Sequence, residues 1–168
     1  MVSILKKFNS LVASKKSKEN LFRFLVYATL IKHGDFHAKN IGLIEIDKGK
    51  WELAPLYDII STYVYEGKKS DDFGIEFSDK NPKKRGFRYE EYLEMATLLE
   101  LSQKRCNLLL KEVINRFLVY FPKYIKATKE FESDLGYAHL LSKKLKFLYE
   151  IKLAEFRKLG VFDEIGLN

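Results

Sequence analysis

Apolar residues recur at helical spacing in the first part of the chain. Residues 2–13 form an amphipathic pattern, which the polar run Ser14–Lys18 interrupts. Residues 20–33 then carry apolar side chains on nearly all sides, and this is typical of a helix buried at the centre of a domain. The pattern therefore predicts one amphipathic helix, a break, and a central buried helix.

The middle of the chain has a different pattern. Two short apolar runs, residues 41–46 and 51–54, flank a turn sequence at residues 47–50 and predict a small β-hairpin. A loop rich in Gly, Asp, Lys and Asn follows over residues 61–86, with one further strand predicted at 73–77. This stretch is predicted to be largely irregular.

The C-terminal stretch, residues 88–160, is predicted to contain about three helices. Pro122 is predicted to kink or end the second of them because proline lacks the backbone N–H, and Asp134 is a predicted cap of the last. The predicted fold class is mainly α with a minor β-hairpin. Two apolar stripes at helix period carry this prediction: Leu110, Ile114, Phe117 and Phe121, and Leu141, Leu145, Leu148 and Ile151.

Length and composition indicate a single globular domain. The chain has 168 residues, of which 46% are hydrophobic, so a core is expected and disorder is not. The single cysteine, Cys106, cannot form an internal disulfide and favours a reducing compartment. No segment reaches the ~20 apolar residues that span a bilayer, and the N-terminus does not have the order of a signal peptide. We expect a soluble, unprocessed, cytoplasmic protein with no membrane partner.

The net charge of +7 comes from lysines scattered along the chain. Scattered positive charge is typical of a solvated surface, and it would also favour an anionic ligand such as nucleotide phosphate. Direct binding of nucleic acid is not expected.

Candidate chemistry lies in residues 33–40 and 53–60. Phosphoryl transfer requires a carboxylate that accepts a proton and oxygen ligands that hold Mg²⁺ against the phosphates. Asp35 and Asn40 have the five-residue separation of the base and the metal-binding amide in protein kinases. Asp58 follows the hairpin, and a folded hairpin would bring it beside Asn40 so that both could ligate one ion.

These residues receive specific predicted roles. Asp35 would be the catalytic base, Asn40 would supply a neutral oxygen to Mg²⁺, and Asp58 would supply the main anionic ligand. His37 would hold the loop by hydrogen bonding. Lys39 would neutralise the migrating phosphoryl group or face solvent.

A purely structural explanation exists for each residue taken alone. Asp35 could form a turn, Asn40 could cap a helical turn, and Asp58 could cap a helix that begins at Ile59. The combination with an apolar helix before and a hairpin between favours the functional interpretation.

Two short motifs resemble the signature of HipA-like toxin kinases. Residues 34–41 read GDFHAKNI, and residues 53–58 read LAPLYD after the hairpin. The resemblance covers about residues 20–160 and implies the C-terminal lobe of a protein-kinase-like fold. It matches Asp35 to the catalytic Asp of the family, and Asn40 and Asp58 to its magnesium ligands.

The resemblance also implies activity, cofactors and partners. It implies transfer of phosphate from ATP, with Mg²⁺, to Ser or Thr of a protein substrate. It implies a DNA-binding HipB-like antitoxin as a partner, so that nucleic acid would be reached only indirectly. The Lys-, Phe- and Tyr-rich composition is also similar to the CtkA branch of secreted kinases, which would place the protein outside the cytoplasm.

The sequence departs from the family pattern in two ways. The family often has Gly-Asn where Lys32-His33 stands, and the sequence from His33 to Asp35 is similar to aminoglycoside phosphotransferases, which are small-molecule kinases. In addition, no glycine cluster and no strand-borne lysine precede Gly34. Residues 1–168 are therefore expected to lack the N-terminal nucleotide lobe and to show weak or no kinase activity alone. A kinase half completed by another polypeptide and a non-catalytic interaction module both stay open.

Overall fold

The computed structural model of the protein describes residues 1–66 and 87–167. Helices and one antiparallel hairpin confirm the predicted fold class, mainly α with a minor β element. The predicted strand at 73–77 and most of the predicted loop lie outside the described residues. In chain order the elements are α1 (Val2–Leu11), α2 (Lys15–Leu30), a 3₁₀ turn (Ala38–Asn40), β1 (Leu43–Asp47), β2 (Lys50–Leu53), α3 (Thr62–Glu66), α4 (Tyr89–Leu98), α5 (Gln103–Asp134), α6 (Leu140–Lys158) and α7 (Val161–Glu164).

Helix α2 is the central helix, as predicted. It packs against α5, α4 and β2, and seven of its apolar side chains are buried. The predicted break at Ser14–Lys18 is wrong, because α2 begins at Lys15. The Ser14 side chain accepts the backbone N–H of Ser17 at 3.3 Å, and lysines propagate a helix well once its first turn is capped. The buried residues are Leu21, Phe22, Phe24, Leu25, Val26, Ala28 and Leu30.

Helix α5 continues through Pro122 to Asp134, so of the two predicted outcomes, a kink or an end of the helix, the end is wrong. Proline removes the hydrogen bond that would reach the carbonyl four residues earlier, at Leu118. The hydroxyl of Tyr149, on α6, lies 3.5 Å from that carbonyl and donates to it. The neighbouring helix thus supplies part of the bond that proline removes.

The prediction that Asp134 caps the last long helix is also wrong. Asp134 ends α5, and α6 begins at Leu140. The cap comes from Glu132 in the preceding helix. Its carboxylate accepts the backbone N–H groups of Leu141 at 2.7 Å and Ser142 at 3.2 Å. A carboxylate at this position also interacts favourably with the helix dipole.

The two predicted apolar stripes contribute unequally to the core. All four members of the α5 stripe, from Leu110 to Phe121, are buried, as is Cys106. In the α6 stripe only Leu148 is fully buried, and Leu141 is 37% exposed. None of the helices in the described ranges, 1–66 and 87–167, is long and apolar enough to cross a membrane.

Candidate active site

The loop of residues 34–40 follows α2 and is anchored in the core at its middle. The backbone N–H of His33 bonds to the Ala28 carbonyl at 3.0 Å, and Lys32 takes a left-handed conformation (φ 51°) that turns the chain away from the helix. Phe36 is fully buried and meets Phe24 edge-on, with ring centroids 5.2 Å apart. This anchor leaves its neighbour Asp35 exposed to solvent.

Asn40 connects the 34–40 loop to the segment that follows the hairpin. Its side-chain oxygen accepts the backbone N–H of His37 at 2.7 Å, which closes the 3₁₀ turn. Its side-chain nitrogen donates to the Asp58 carboxylate at 3.2 Å. Asn40 is 1% exposed, whereas Asp58 is exposed. The hairpin therefore brings residues 18 positions apart in sequence into direct contact.

Three further contacts fix the segment of residues 54–58. The backbone N–H of Ala54 bonds to the Gly42 carbonyl at 2.9 Å, and the Tyr57 hydroxyl donates to the Lys39 carbonyl. A Cβ at Gly42 would lie 3.1 Å from Ala54 Cβ and 3.2 Å from Tyr57 Cε1. A side chain at position 42 would therefore have to displace the facing segment by a few tenths of an ångström. One residue later, Asp58 itself has a left-handed backbone (φ 54°).

Thr62 holds the start of the 34–40 loop from the other side. Its hydroxyl accepts the backbone N–H of Gly34 at 2.7 Å and donates to the Lys32 carbonyl at 3.2 Å. Thr62 is 7% exposed, so both bonds are shielded from water. The start of α3, four residues after Asp58, is thereby tied to the turn that carries Asp35.

His33 lies buried immediately before the 34–40 loop. Its side chain is 0% exposed, and neither ring nitrogen makes a well-formed hydrogen bond within the described residues. Burial lowers the pKa of His33, while the Asp58 backbone carbonyl and the negative charges of Asp35 and Asp58 act to raise it. Both carboxylates are thus close enough to act electrostatically on one ring.

Lys32 ties the same turn to α6. Its ammonium lies 3.2 Å from the Glu155 carboxylate and 4.8 Å from the centre of the Tyr63 ring. Glu155 also holds Lys152 at 2.5 Å. The left-handed turn before Asp35 therefore rests on a largely buried ion pair.

Comparison with known proteins identifies the family. The family model described as the HipA-like C-terminal domain matches residues 1–119, which is more than half of the chain. The chain belongs to the HipA-like C-terminal domain family. A protein of Sinorhizobium fredii (strain NBRC 101917 / NGR234) named "Putative kinase Y4dM" is 38% identical to it over 96 residues, which are 56% of this chain and 23% of that protein. The chain thus spans about a quarter of this relative. No solved structure matches it significantly.

The five predicted site residues of this HipA-like domain lie on the 34–40 loop and on the segment that follows the hairpin. Asn40 and Asp58 touch, and Asp35 stands at the head of the same loop. His37 contributes its backbone N–H to the loop, and its side chain is exposed. Lys39 is exposed and contributes its backbone carbonyl. The catalytic and metal-binding roles of these residues stay predictions.

Sequence reasoning missed three residues that shape the site. Tyr57 stood within the LAPLYD motif but received no role, although an aromatic hydroxyl beside a predicted ligand is a signal for an anchoring contact. Gly42 directly follows the GDFHAKNI motif and carried no visible signal. Thr62 was taken as part of an irregular loop, and only its contacts show what it does.

The donor set at this site fits Mg²⁺. Magnesium in proteins is held by one or two carboxylates together with waters and substrate phosphates, and the carboxylates of Asp35 and Asp58 make no ion pair in the described part of the chain. Asn40 could add a ligand, because a carbonyl oxygen that accepts one hydrogen bond keeps a second lone pair. No group of three or more His, Cys, Asp or Glu residues in the described ranges forms an alternative metal cluster.

Proposed function

We propose that this domain is the catalytic lobe of a protein kinase that transfers the γ-phosphoryl group of ATP to a Ser or Thr hydroxyl. The observation that carries the proposal is the contact between Asn40 and Asp58, at 3.2 Å, beside the exposed Asp35. Membership of the HipA-like family and a relative named as a kinase support the same conclusion.

Each site residue has one of the roles that phosphoryl transfer requires. Asp35, exposed at the head of the loop, accepts the proton of the attacking hydroxyl, whose oxygen bonds to phosphorus as the bond to ADP breaks. Asp58 and Asn40 would hold Mg²⁺, which would supply positive charge against the phosphates. Lys39 provides positive charge at the rim of the loop. Phe36, Tyr57 and Thr62 keep the loop and the ligand segment in register.

The proposed activity requires an N-terminal lobe that covers the nucleotide. Such a lobe would orient the adenine and the α- and β-phosphates, so residues 1–168 alone would turn over ATP weakly or not at all. We propose a protein substrate, and a HipB-like antitoxin or a separately supplied N-terminal lobe as a binding partner. Phosphorylation of a small molecule would be the activity of an aminoglycoside-kinase-like protein, and no contact in the site favours it.

The test begins with divalent-ion binding to the chain itself. Isothermal titration with Mn²⁺ as a probe, and thermal unfolding with Mg²⁺ and ATP, are measured for the wild type and for Asp58→Asn. The change keeps the shape of the side chain and removes its charge, so binding should weaken at least about tenfold, as is usual for loss of a metal ligand. Asp163→Asn, on α7, is the control and should bind like the wild type.

The second arm tests chemistry in the presence of an N-terminal lobe. Transfer of labelled phosphate to protein should fall by about 10²-fold or more in Asp35→Asn, the usual effect of losing a general base, while Mn²⁺ binding persists. Equal ion affinity in wild type and Asp58→Asn would contradict the proposal and favour a non-catalytic interaction module. Transfer to a sugar hydroxyl but not to protein would favour the small-molecule alternative.

A further inference from the structure

The second half of α5 and the start of α6 form an arm that consists of only two helices. Within residues 122–147, hereafter the arm, only Glu132 and Ser142 are buried. Each helix packs one side against the other, and α3 reaches the base of the arm, where the rings of Tyr63 and Phe147 stack with their centroids 6.4 Å apart. A two-helix unit of this kind leaves apolar side chains open to solvent unless another element covers them.

The uncovered side chains form a regular stripe on α5. Its members are separated by four, three, four and four residues, so they share one face of the helix. This surface, hereafter the α5 dimer stripe, is roughly 22 Å long. It lies about 80° around the helix axis from the α5 side chains that face α6. It consists of Tyr120 (52% exposed), Tyr124 (65%), Ala127, Phe131 (63%) and Leu135 (50%).

The stripe leads directly into a groove at the base of the arm. This groove, of about 830 Å³, lies between α2, residues 53–56 and α5. Its wall on α5 includes Val113, Tyr120 and Tyr124, so it opens on the same face as the stripe. Tyr27 and Leu56 form the opposite wall and are 39% and 38% exposed. Groove and stripe are therefore one continuous apolar surface.

Large and small side chains follow nearly the same order whether the stripe is read from its N-terminal or its C-terminal end. A two-fold axis between Ala127 and Thr128 would oppose Tyr120 to Leu135, and Tyr124 to Phe131, in an antiparallel second copy. Large side chains then meet at both ends, and small ones lie at the centre where the helices approach most closely. A surface that complements itself in this way is what a two-fold symmetric interface requires.

The charges beside the stripe fit the same arrangement. Lys123 lies on one flank, with its ammonium 5.1 Å from the centre of the Tyr120 ring. Glu130 and Asp134 lie on that flank about two and three turns further along. In the antiparallel pair, Lys123 stands between Glu130 and Asp134 of the second copy, within roughly 3 Å of each along the helix axis.

We propose that two copies of this chain associate antiparallel through the α5 dimer stripe, with the arm tip of each copy at the mouth of the groove of the other. The tip carries Phe131, Leu135 and Tyr137, all at least half exposed. A small ligand in the groove would leave the rest of the stripe open, whereas a second copy covers both. The stripe lies beyond residue 119, where the family match ends, so the dimer is a property of this chain and not of the family domain.

The first test measures mass by sedimentation equilibrium. The wild type should reach twice the chain mass of 19.7 kDa. Phe131→Asp should weaken the dimer at least about tenfold, because the change occurs twice in a symmetric interface. The matched control is Leu108→Asp, an equally exposed apolar residue (55%) on another face of α5, which should dimerise like the wild type. A monomer at all concentrations up to about 100 µM, well above the dissociation constants of specific complexes, would overturn the proposal.

Two further variants keep the proposal testable if Phe131→Asp fails to fold. Lys123→Glu should weaken the dimer, and the added changes Glu130→Lys and Asp134→Lys should restore it, an outcome that a purely structural role would not produce. Ala127→Cys should form a disulfide-linked dimer across the axis, whereas Glu94→Cys on α4 should not. The native Cys106 is fully buried and cannot compete. A dimer that is insensitive to charge reversal and does not cross-link at position 127 would show that another surface is used.

Discussion

Asn40 bonds at once to the backbone N–H of His37 and to the carboxylate of Asp58. One buried amide thereby sets both the shape of the 34–40 loop and its distance from the segment that carries Asp58. In this arrangement the amide nitrogen, not the oxygen, faces Asp58. A cation bound by Asp58 would replace or rearrange that hydrogen bond, so the contact links ion binding to the conformation of the loop.

Asn40→Asp provides a direct test of an ion at this position. The new carboxylate can still accept the His37 N–H, but it lies buried beside Asp58, and the two negative charges repel. Without divalent ions the free energy of unfolding should fall by about 2 kcal/mol or more, and Mg²⁺ should restore most of the loss. Urea denaturation with a chelator and with Mg²⁺ measures both values. Asn115→Asp, on the exposed side of α5, serves as control. If Mg²⁺ did not change the free energy of unfolding of Asn40→Asp, an ion site at this position would be contradicted.

Thr62→Ala tests the connection between α3 and the loop. The change leaves the Gly34 N–H and the Lys32 carbonyl without their partner in a shielded site. Loss of about 1–3 kcal/mol in the free energy of unfolding is expected, because an unsatisfied buried group keeps its desolvation cost.

Thr62→Ser keeps the hydroxyl and should retain most of the stability. Thr97→Ala, which removes an exposed hydroxyl bonded to Leu93 within α4, should change it by no more than about 0.5 kcal/mol. If Thr62→Ser were as unstable as Thr62→Ala, packing of the methyl group and not the two hydrogen bonds would be the cause.

Gly42→Ala tests the close approach of the two site segments. The new methyl would lie within 3.2 Å of Ala54 and Tyr57, so the Tyr57 ring must move and Asp58 with it. We expect a loss of about 1–3 kcal/mol from overpacking, together with weaker Mn²⁺ binding in isothermal titration. Gly49→Ala, at the hairpin turn, meets no neighbouring atom but has φ +73°, so it should lose about 1 kcal/mol through backbone strain and bind Mn²⁺ normally.

The sequence alone was sufficient to predict the helices and strands that are defined by their own pattern of apolar residues. Residues 20–33 are apolar on nearly all sides, and residues 20–30 form most of the central helix. The two apolar runs around residues 47–50 form the hairpin. The errors occurred where a partner distant in sequence decides the outcome. Pro122 does not end α5 because Tyr149, 27 positions later, bonds to the freed carbonyl, and no local pattern contains that information.

The candidate site divides in the same way. The spacing of Asp35, Asn40 and Asp58 indicated these residues only together with the preceding helix, the hairpin and the motif resemblance, because the chemistry fixes which residue types are needed. The residues that position them could not be inferred in that manner. Thr62 acts through a hydroxyl that many loop threonines leave in solvent, and the lack of a side chain at Gly42 matters only because Tyr57 passes over it. Such roles depend on the packing of segments and not on composition.

Glu132 should make the stability of the arm depend on acid pH. Burial would raise its pKa, but hydrogen bonds from the Ser142 side chain and from the backbone N–H groups of Leu141 and Ser142 outweigh this effect and hold the pKa of Glu132 below its ordinary value of 4.5. A carboxyl whose pKa is lower in the folded state stabilises the fold above pH 4.5, and that contribution disappears as the pH falls through the folded pKa. Glu132→Gln should therefore lower Tm at neutral pH, and its difference from the wild type should shrink on acidification. Thermal unfolding followed by circular dichroism across this range measures the difference, with Glu150→Gln as an exposed control on α6. A Tm difference that stays constant with pH would show that the capping hydrogen bonds do not depend on the charge of Glu132.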